Sequence, residues 1–197
     1  MNIADRLYQA MALLDEVIAE LEAEENTITL YSQRDERWRE TVYSGGMTFG
    51  QAGCFVTCVA MIASAAGYPD TPPEVAKKLS AAGCFSGALL SYPDRIPNAY
   101  PKLKYGGTLD WRKRPADIIR LRQEIEHSPT IIEVEFAPGG AEPPQDQHFV
   151  VLESLDGGDA TILDPWDGAR TRLMQRYALA SWDVARSIYG ARLLEVK

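Results

Sequence analysis

The sequence predicts an α+β fold, and three observations carry the prediction. Helical patterns dominate the chain as far as His127. From Thr130 the apolar period changes to two, the period of a strand with alternating faces. The pair Gly157-Gly158, set between two apolar runs, marks a hairpin. The 197 residues suffice for one domain with a real core, and 46% hydrophobic with 24% charged residues is the balance of an ordinary globular protein.

The elements follow in order. Residues 2–25 form a helix, with Ile3, Leu7, Met11, Leu14, Ile18 and Leu21 on one stripe and most acidic residues off it. That stripe either packs on the chain's own domain or serves as a short arm for self-association or docking. The boundary of the main domain is therefore set at residues 26/27, with 1–26 as the helix and 27–197 as the rest. Residues 27–31 read as a short strand, 32–40 as a polar stretch anchored by Trp38, and 41–50 as a loop turning at Gly45-Gly46.

An apolar, small-residue run then begins at Cys54 and stops at Gly67. It reads as a buried helix with a glycine C-cap. Thr71 with Glu74 three residues later is a capping box, with prolines in the first turn, so the next helix runs to about Ala82. Residues 85–107 have no clear period and read as a long irregular connection, a candidate cleft wall. A short strand is expected at 108–112 and a helix at 114–127, entered through Pro115 and closed by His127, which suits the helix dipole. Strands follow at 130–136, 148–154 and 159–164, with residues 137–147 as a loop bordering the cleft. The chain ends with a turn at 165–168, a helix at about 179–186 and a closing strand near 191–196.

Composition narrows the function. A formal net charge of −8 and a pI of about 4.8 argue against nucleic acid, whose binding rests on clustered Lys and Arg. No apolar run approaches the ~18–20 residues of a membrane span. The N-terminus lacks the basic start and continuous apolar centre of a secretory signal, so the protein is expected to be cytoplasmic as synthesised, released by lysis or carried in a particle. Three cysteines, at 54, 58 and 84, suggest reduced thiols and no disulfide framework. Two histidines and no Cys-x-x-Cys pair leave no metal site, and no cofactor is expected.

Three residues carry the chemistry. Cys54 stands at a helix start, where free N–H groups and the positive end of the dipole favour a thiolate. His148 opens one strand of the Gly157-Gly158 hairpin and Asp164 closes its partner, so both flank the same open edge of the sheet. A carboxylate beside a histidine fixes its tautomer and stabilises its cation. Facing Cys54, the set would be nucleophile, base and orienter for acyl transfer through a thioester. Cys84, with no histidine near it in sequence, reads as structural.

Four blocks share an order with a known family: Tyr31-Ser32-Gln33-Arg34-Asp35-Glu36-Arg37-Trp38, Gly53-Cys54 with its apolar helix, His148-Phe149-Val150-Val151, and Asp164-Pro165-Trp166-Asp167-Gly168. Over residues 28–196 the chain resembles papain-like cysteine peptidases of the bacteriocin-leader-processing, double-glycine peptidase type, above all their small bacterial and phage relatives. The resemblance implies a papain-like α+β fold, with a helical lobe carrying the nucleophile and an antiparallel sheet lobe carrying His and Asp. It implies Cys54 as nucleophile, His148 as general base and acid, and Asp164 as orienter. It also implies a glutamine in the oxyanion hole, for which Gln33 matches the family block and Gln51 is the alternative nearer in sequence. Unlike leader-processing transporters, this chain carries no membrane segment and no nucleotide-binding motif, so cleavage after a double glycine does not carry over. The expected activity is hydrolysis of a peptide or isopeptide bond in a peptide or protein substrate. The alternatives are a non-catalytic binding or assembly module, and a transferase or deamidase using the same three residues.

Overall fold

A computed structural model describes residues 8–14, 28–87, 89–126, 128–138 and 147–197. Its centre is a six-stranded antiparallel sheet built from β1 (Leu103–Asp110), β2 (Thr130–Glu135), β3 (Gln147–Asp156), β4 (Asp159–Asp164), β5 (Ala169–Arg172) and β6 (Gly190–Val196), in the order β1-β6-β2-β3-β4-β5. The closing strand of the chain is thus inserted between β1 and β2.

One face of this sheet is covered by α1 (Cys54–Ala65), with α2 (Pro72–Ala81) packed behind it. Every residue of α1 after Cys54 is buried, as expected of a helix apolar on all sides. Ala60, Ala63 and Ser64 keep its girth small, so Val59 and Ile62 reach the core that holds Val151, Leu163 and Leu194 of the sheet. Gly67 takes a positive φ of 79° just beyond the C-cap, the conformation that ends the helix. The capping box of α2 forms as expected, with the Thr71 N–H donating to Glu74 Oε2 at 2.7 Å.

The opposite face carries a second core. Leu121 of α3 (Ile118–Ile125) meets Ile132, Val150, Ile162 and Leu173 there. Because both faces are covered, all six residues of β2 are buried, including Glu133 and Glu135. The strand expected at 130–136 forms over Thr130–Glu135, buried on both faces. Glu133 is held by Arg112 and Arg192, and Glu135 accepts the Tyr189 hydroxyl at 3.0 Å.

The hairpin forms at the expected place. Asp156 pairs with Asp159 across Gly157 and Gly158, whose φ values of 55° and 105° fit a two-residue turn that other residues resist.

Several expectations are corrected. Residues 28–31 pair with no strand; Thr29 N instead donates to Ser64 Oγ at 2.8 Å. The segment read as a loop at 41–50 contains a small ribbon, Val42–Ser44 with Met47–Thr48, and leads into a helical turn, Phe49–Ala52. The irregular connection at 85–107 contains a second ribbon, Phe85–Ser86 with Leu89–Leu90, a short helix at Ile96–Ala99 and the start of β1, which is longer than the strand expected at 108–112. The helix expected from 114 begins at Ile118, because Asp117, not the proline, caps it by accepting the Arg120 N–H. The helix expected at 179–186 is replaced by two helical turns, Leu173–Arg176 and Val184–Ser187. Strand β5 was not anticipated.

At the N-terminus residues 8–14 are helical, with Met11 and Leu14 of the apolar stripe exposed. The rest of that expected helix, the helix-closing His127, and most of the loop at 137–147 lie outside the described residues. No helix among the described residues is long and apolar enough to cross a membrane.

Candidate active site

Cys54 is the first residue of α1, and the sequence ahead of it fixes its position closely. Gly53 N–H donates to Phe49 O at 2.8 Å, which closes the turn directly onto the helix. A Cβ on Gly53 would lie 2.6 Å from Phe49 O and 3.0 Å from Phe49 Cα. Only glycine fits this close approach, and it does so at an ordinary φ of −78°. Cys54 is partly exposed, whereas Cys58 and Cys84 are buried.

His148 and Asp164 come together at the open edge of the β3–β4 ladder. The last paired level there is Val151 with Leu163, and beyond it the strands separate towards the loops. His148 Nε2 lies 2.9 Å from Asp164 Oδ1. An ionised carboxylate only accepts, so Nε2 carries the proton. That leaves Nδ1 as the ring nitrogen for the interaction of His148 with Cys54. The imidazole is 3% exposed, its ring set edge-on to Phe136 (centroids 5.2 Å) and tilted on Tyr177 (5.4 Å).

Asp164 is fully buried and accepts three hydrogen bonds and one ion pair. Oδ1 takes His148 and the Trp166 N–H (2.8 Å), while Oδ2 takes the Tyr177 hydroxyl (2.5 Å) and is ion-paired with the Arg176 guanidinium, whose Nε lies 2.9 Å away. Tyr177 and Arg176 went unnoticed in the sequence. They sit in and just after an isolated helical turn, and no spacing rule links them to Asp164.

The electrostatics follow from these contacts. Burial pushes the Cys54 thiol up, but the hydrogen bond and charge of His148, with the N–H groups of Phe149 and Phe55, outweigh it and bring the thiol below its ordinary value. Burial alone would keep His148 neutral. Its bonds to Asp164 and Cys54 win and raise it to about 9. Burial likewise opposes ionisation of Asp164, and the bond to His148 overcomes it, so the carboxyl stays below its usual range. The arrangement favours a thiolate beside an imidazolium near neutral pH. The other thiols differ: burial holds Cys58 well above its ordinary value while its Sγ–H donates to Phe149 O (3.3 Å), and burial pushes Cys84 up to about 11.

The two candidate oxyanion glutamines have different surroundings. Gln33 is 2% exposed and is tied at both ends: its N–H donates to Pro165 O at 2.6 Å, and its Nε2 donates to Gly50 O at 3.3 Å. It thereby joins the Asp164 turn to the turn before Cys54, and among the described residues the second Nε2 hydrogen has no acceptor. Gln51 is exposed, and its Oε1 accepts the Thr48 N–H at 3.1 Å, capping its own turn. Both line a cleft of about 630 Å³ that also contains Cys54 and His148. The two ribbons form part of its wall through Tyr43, Met47, Phe85 and Leu90, so the cleft-wall role expected of residues 85–107 falls to the first part of that segment. Among the described residues no cluster of three His, Cys, Asp or Glu side chains could hold a metal ion.

Comparisons with known proteins agree with this fold. The model of the Peptidase C39 like family matches residues 25–189. A solved structure from Bacillus anthracis, described as a C39-like peptidase, superposes with a TM-score of 0.52 over 87% of this chain and 97% of that one, at 13% sequence identity. Among curated proteins no match is found. With its antiparallel sheet, its buried helix led by Cys54 and a family match over most of its length, the chain belongs to the C39-type family of cysteine peptidases, with the papain-like α+β fold.

Proposed function

We propose that the protein is a cysteine peptidase that hydrolyses a peptide or isopeptide bond through a thioester. The observation that carries this reading is Cys54 beside His148, which lowers its thiol, with His148 in turn hydrogen-bonded to buried Asp164 and the cysteine open to a cleft.

Cys54 thiolate attacks the scissile carbonyl carbon, and the carbonyl oxygen becomes an oxyanion. The second Nε2 hydrogen of Gln33 and the Cys54 backbone N–H receive that charge. Gln33 is preferred over Gln51 because it is buried and pinned at both ends, which holds the donor in place before reaction. The His148 imidazolium gives its Nδ1 proton to the leaving amine, the C–N bond breaks, and an S-acyl enzyme remains. Neutral His148 then takes a proton from water, which attacks the thioester; the carboxylic acid leaves and the thiolate–imidazolium pair is restored. Asp164 holds the imidazole tautomer throughout, and its three donors with the Arg176 ion pair keep it ionised.

The test is a complex mixture of peptides digested with the parent protein and with Cys54→Ala, the new termini being mapped by mass spectrometry. New termini with a common pattern, present only with the parent, support the reading. Equal termini in both samples, or none in either, refute it.

A further inference from the structure

We propose that Arg192 reads a carboxylate on the substrate, so that the cleft selects peptides with an acidic residue close to the bond that Cys54 attacks. The inference deepens the peptidase reading and rests on it.

The Arg192 side chain lines the cleft and is 15% exposed. Its guanidinium lies over the Phe149 ring, with Cζ 5.4 Å from the centroid. Phe149 in turn stacks on Phe55, the residue after the nucleophile, with centroids 4.8 Å apart. Two rings thus floor the cleft between Cys54 and the guanidinium.

A guanidinium has five N–H donors in a planar fork. Among the described residues Arg192 makes two side-chain hydrogen bonds, both long: Nη1 to Ala191 O at 3.3 Å and Nη2 to Glu133 Oε2 at 3.4 Å. Glu133 does not depend on it, because Arg112 makes the much closer ion pair with the other carboxylate oxygen. The remaining buried carboxylate of that strand, Glu135, takes the Tyr189 hydroxyl. No carboxylate among the described residues lines the cleft, although the whole chain has a net charge of −8. A cationic fork with spare donors, at the end of an apolar floor, matches a substrate carboxylate and repels Lys or Arg at the same place. If Arg192 served only to cover Phe149 and balance Glu133, its replacement would change stability and leave selectivity alone.

That carboxylate could be an acidic side chain or a chain terminus. The experiment therefore uses peptides acetylated and amidated at their ends, in Glu/Gln pairs at each position around the cut, with unprotected Gln peptides as a second arm. Turnover is compared in the parent, Arg192→Gln and Arg192→Lys, each checked for a cooperative melt. The expected result is a Glu over Gln preference of at least about tenfold in kcat/KM at one position, the effect of one charge-assisted hydrogen bond. The preference should collapse in Arg192→Gln and be partly retained in Arg192→Lys. A preference only for unprotected C-termini assigns the carboxylate to the chain end and overturns the acidic-residue form. Equal cleavage of Glu and Gln peptides, or a preference that survives Arg192→Gln, overturns the inference and leaves the peptidase reading intact. A parent whose Cys54 is activated by His148 but which cuts no acidic peptide overturns it as well. Loss of both cleavage and His148-dependent Cys54 reactivity instead overturns the peptidase reading itself.

Discussion

Replacing Tyr177 by Phe removes one oxygen from the site and little else. The ring, 2% exposed, keeps its place against His148 and Phe136, while Asp164 Oδ2 loses a donor at 2.5 Å. A hydrogen bond to a charged group contributes about 1.5–3 kcal/mol. The Arg176 guanidinium stays ion-paired with the same oxygen, its Nε 2.9 Å away, so the lower part of that range is expected, about 1.5–2 kcal/mol. For a chain of this length each kcal/mol moves Tm by roughly 2–4 °C, so Tyr177→Phe should melt about 3–8 °C lower near neutral pH. The sign of the pH dependence follows from Asp164. Its folded pKa is depressed, so its interactions stabilise the fold fully above the unfolded value of about 3.9 and are lost as pH falls through the folded value. The deficit of the variant should therefore be largest near neutrality and shrink as Asp164 protonates in both proteins. Calorimetric melts of parent and variant, taken from neutrality down through the acid range, give the difference directly. A Tm within about 1 °C of the parent at neutral pH, or a deficit unchanged in acid, would refute the assignment of the bond to an ionised Asp164.

The remaining predictions concern the cleft and its entrance. Gln33→Ala should lower kcat by about 10²–10³-fold with the fold intact, while Gln51→Ala should change it only a few-fold; steady-state kinetics on any cleaved peptide separates the two. Gly53→Ala forces a Cβ against Phe49 O and should cost about 1–3 kcal/mol in denaturant unfolding, while displacing Cys54 enough to depress turnover. Asp164→Asn puts an amide where three donors and the Arg176 guanidinium converge and should reduce both stability and turnover, with the alkaline limb of the pH–rate profile moving down as His148 loses the partner that raises it.

Much of this was legible in local chemistry. The Thr71 capping box and the Gly157-Gly158 hairpin are set by contacts a few residues long, and both appear where spacing puts them. Cys54, His148 and Asp164 could be singled out because each stands at the end of an element, where loops meet. Other features depend on contacts distant in sequence. Strand β1 was hidden because Tyr105, Gly106 and Gly107 obscure its alternation, and it forms because β6 pairs with it along its length. Strand β5 is polar in sequence, and its arginines are tied to carboxylates on β3 and β4: Arg170 to Glu153, and Arg172 to Asp156 and Asp159. Burying Glu133 and Glu135 is costly, and Arg112, Arg192 and Tyr189, which offset that cost, approach from elsewhere in the chain. The same reasoning explains why Tyr177 and Arg176 went unseen.

The most direct test of the central claim is the pH dependence of Cys54 alkylation by iodoacetamide, resolved by site with mass spectrometry, in the parent and in His148→Ala. Cys54 is expected to react at pH ~6, well below the range of a free thiol, and to lose that reactivity without His148, while buried Cys58 and Cys84 stay inert. Reaction of Cys54 only above pH ~8, or a profile indifferent to His148, would contradict that claim.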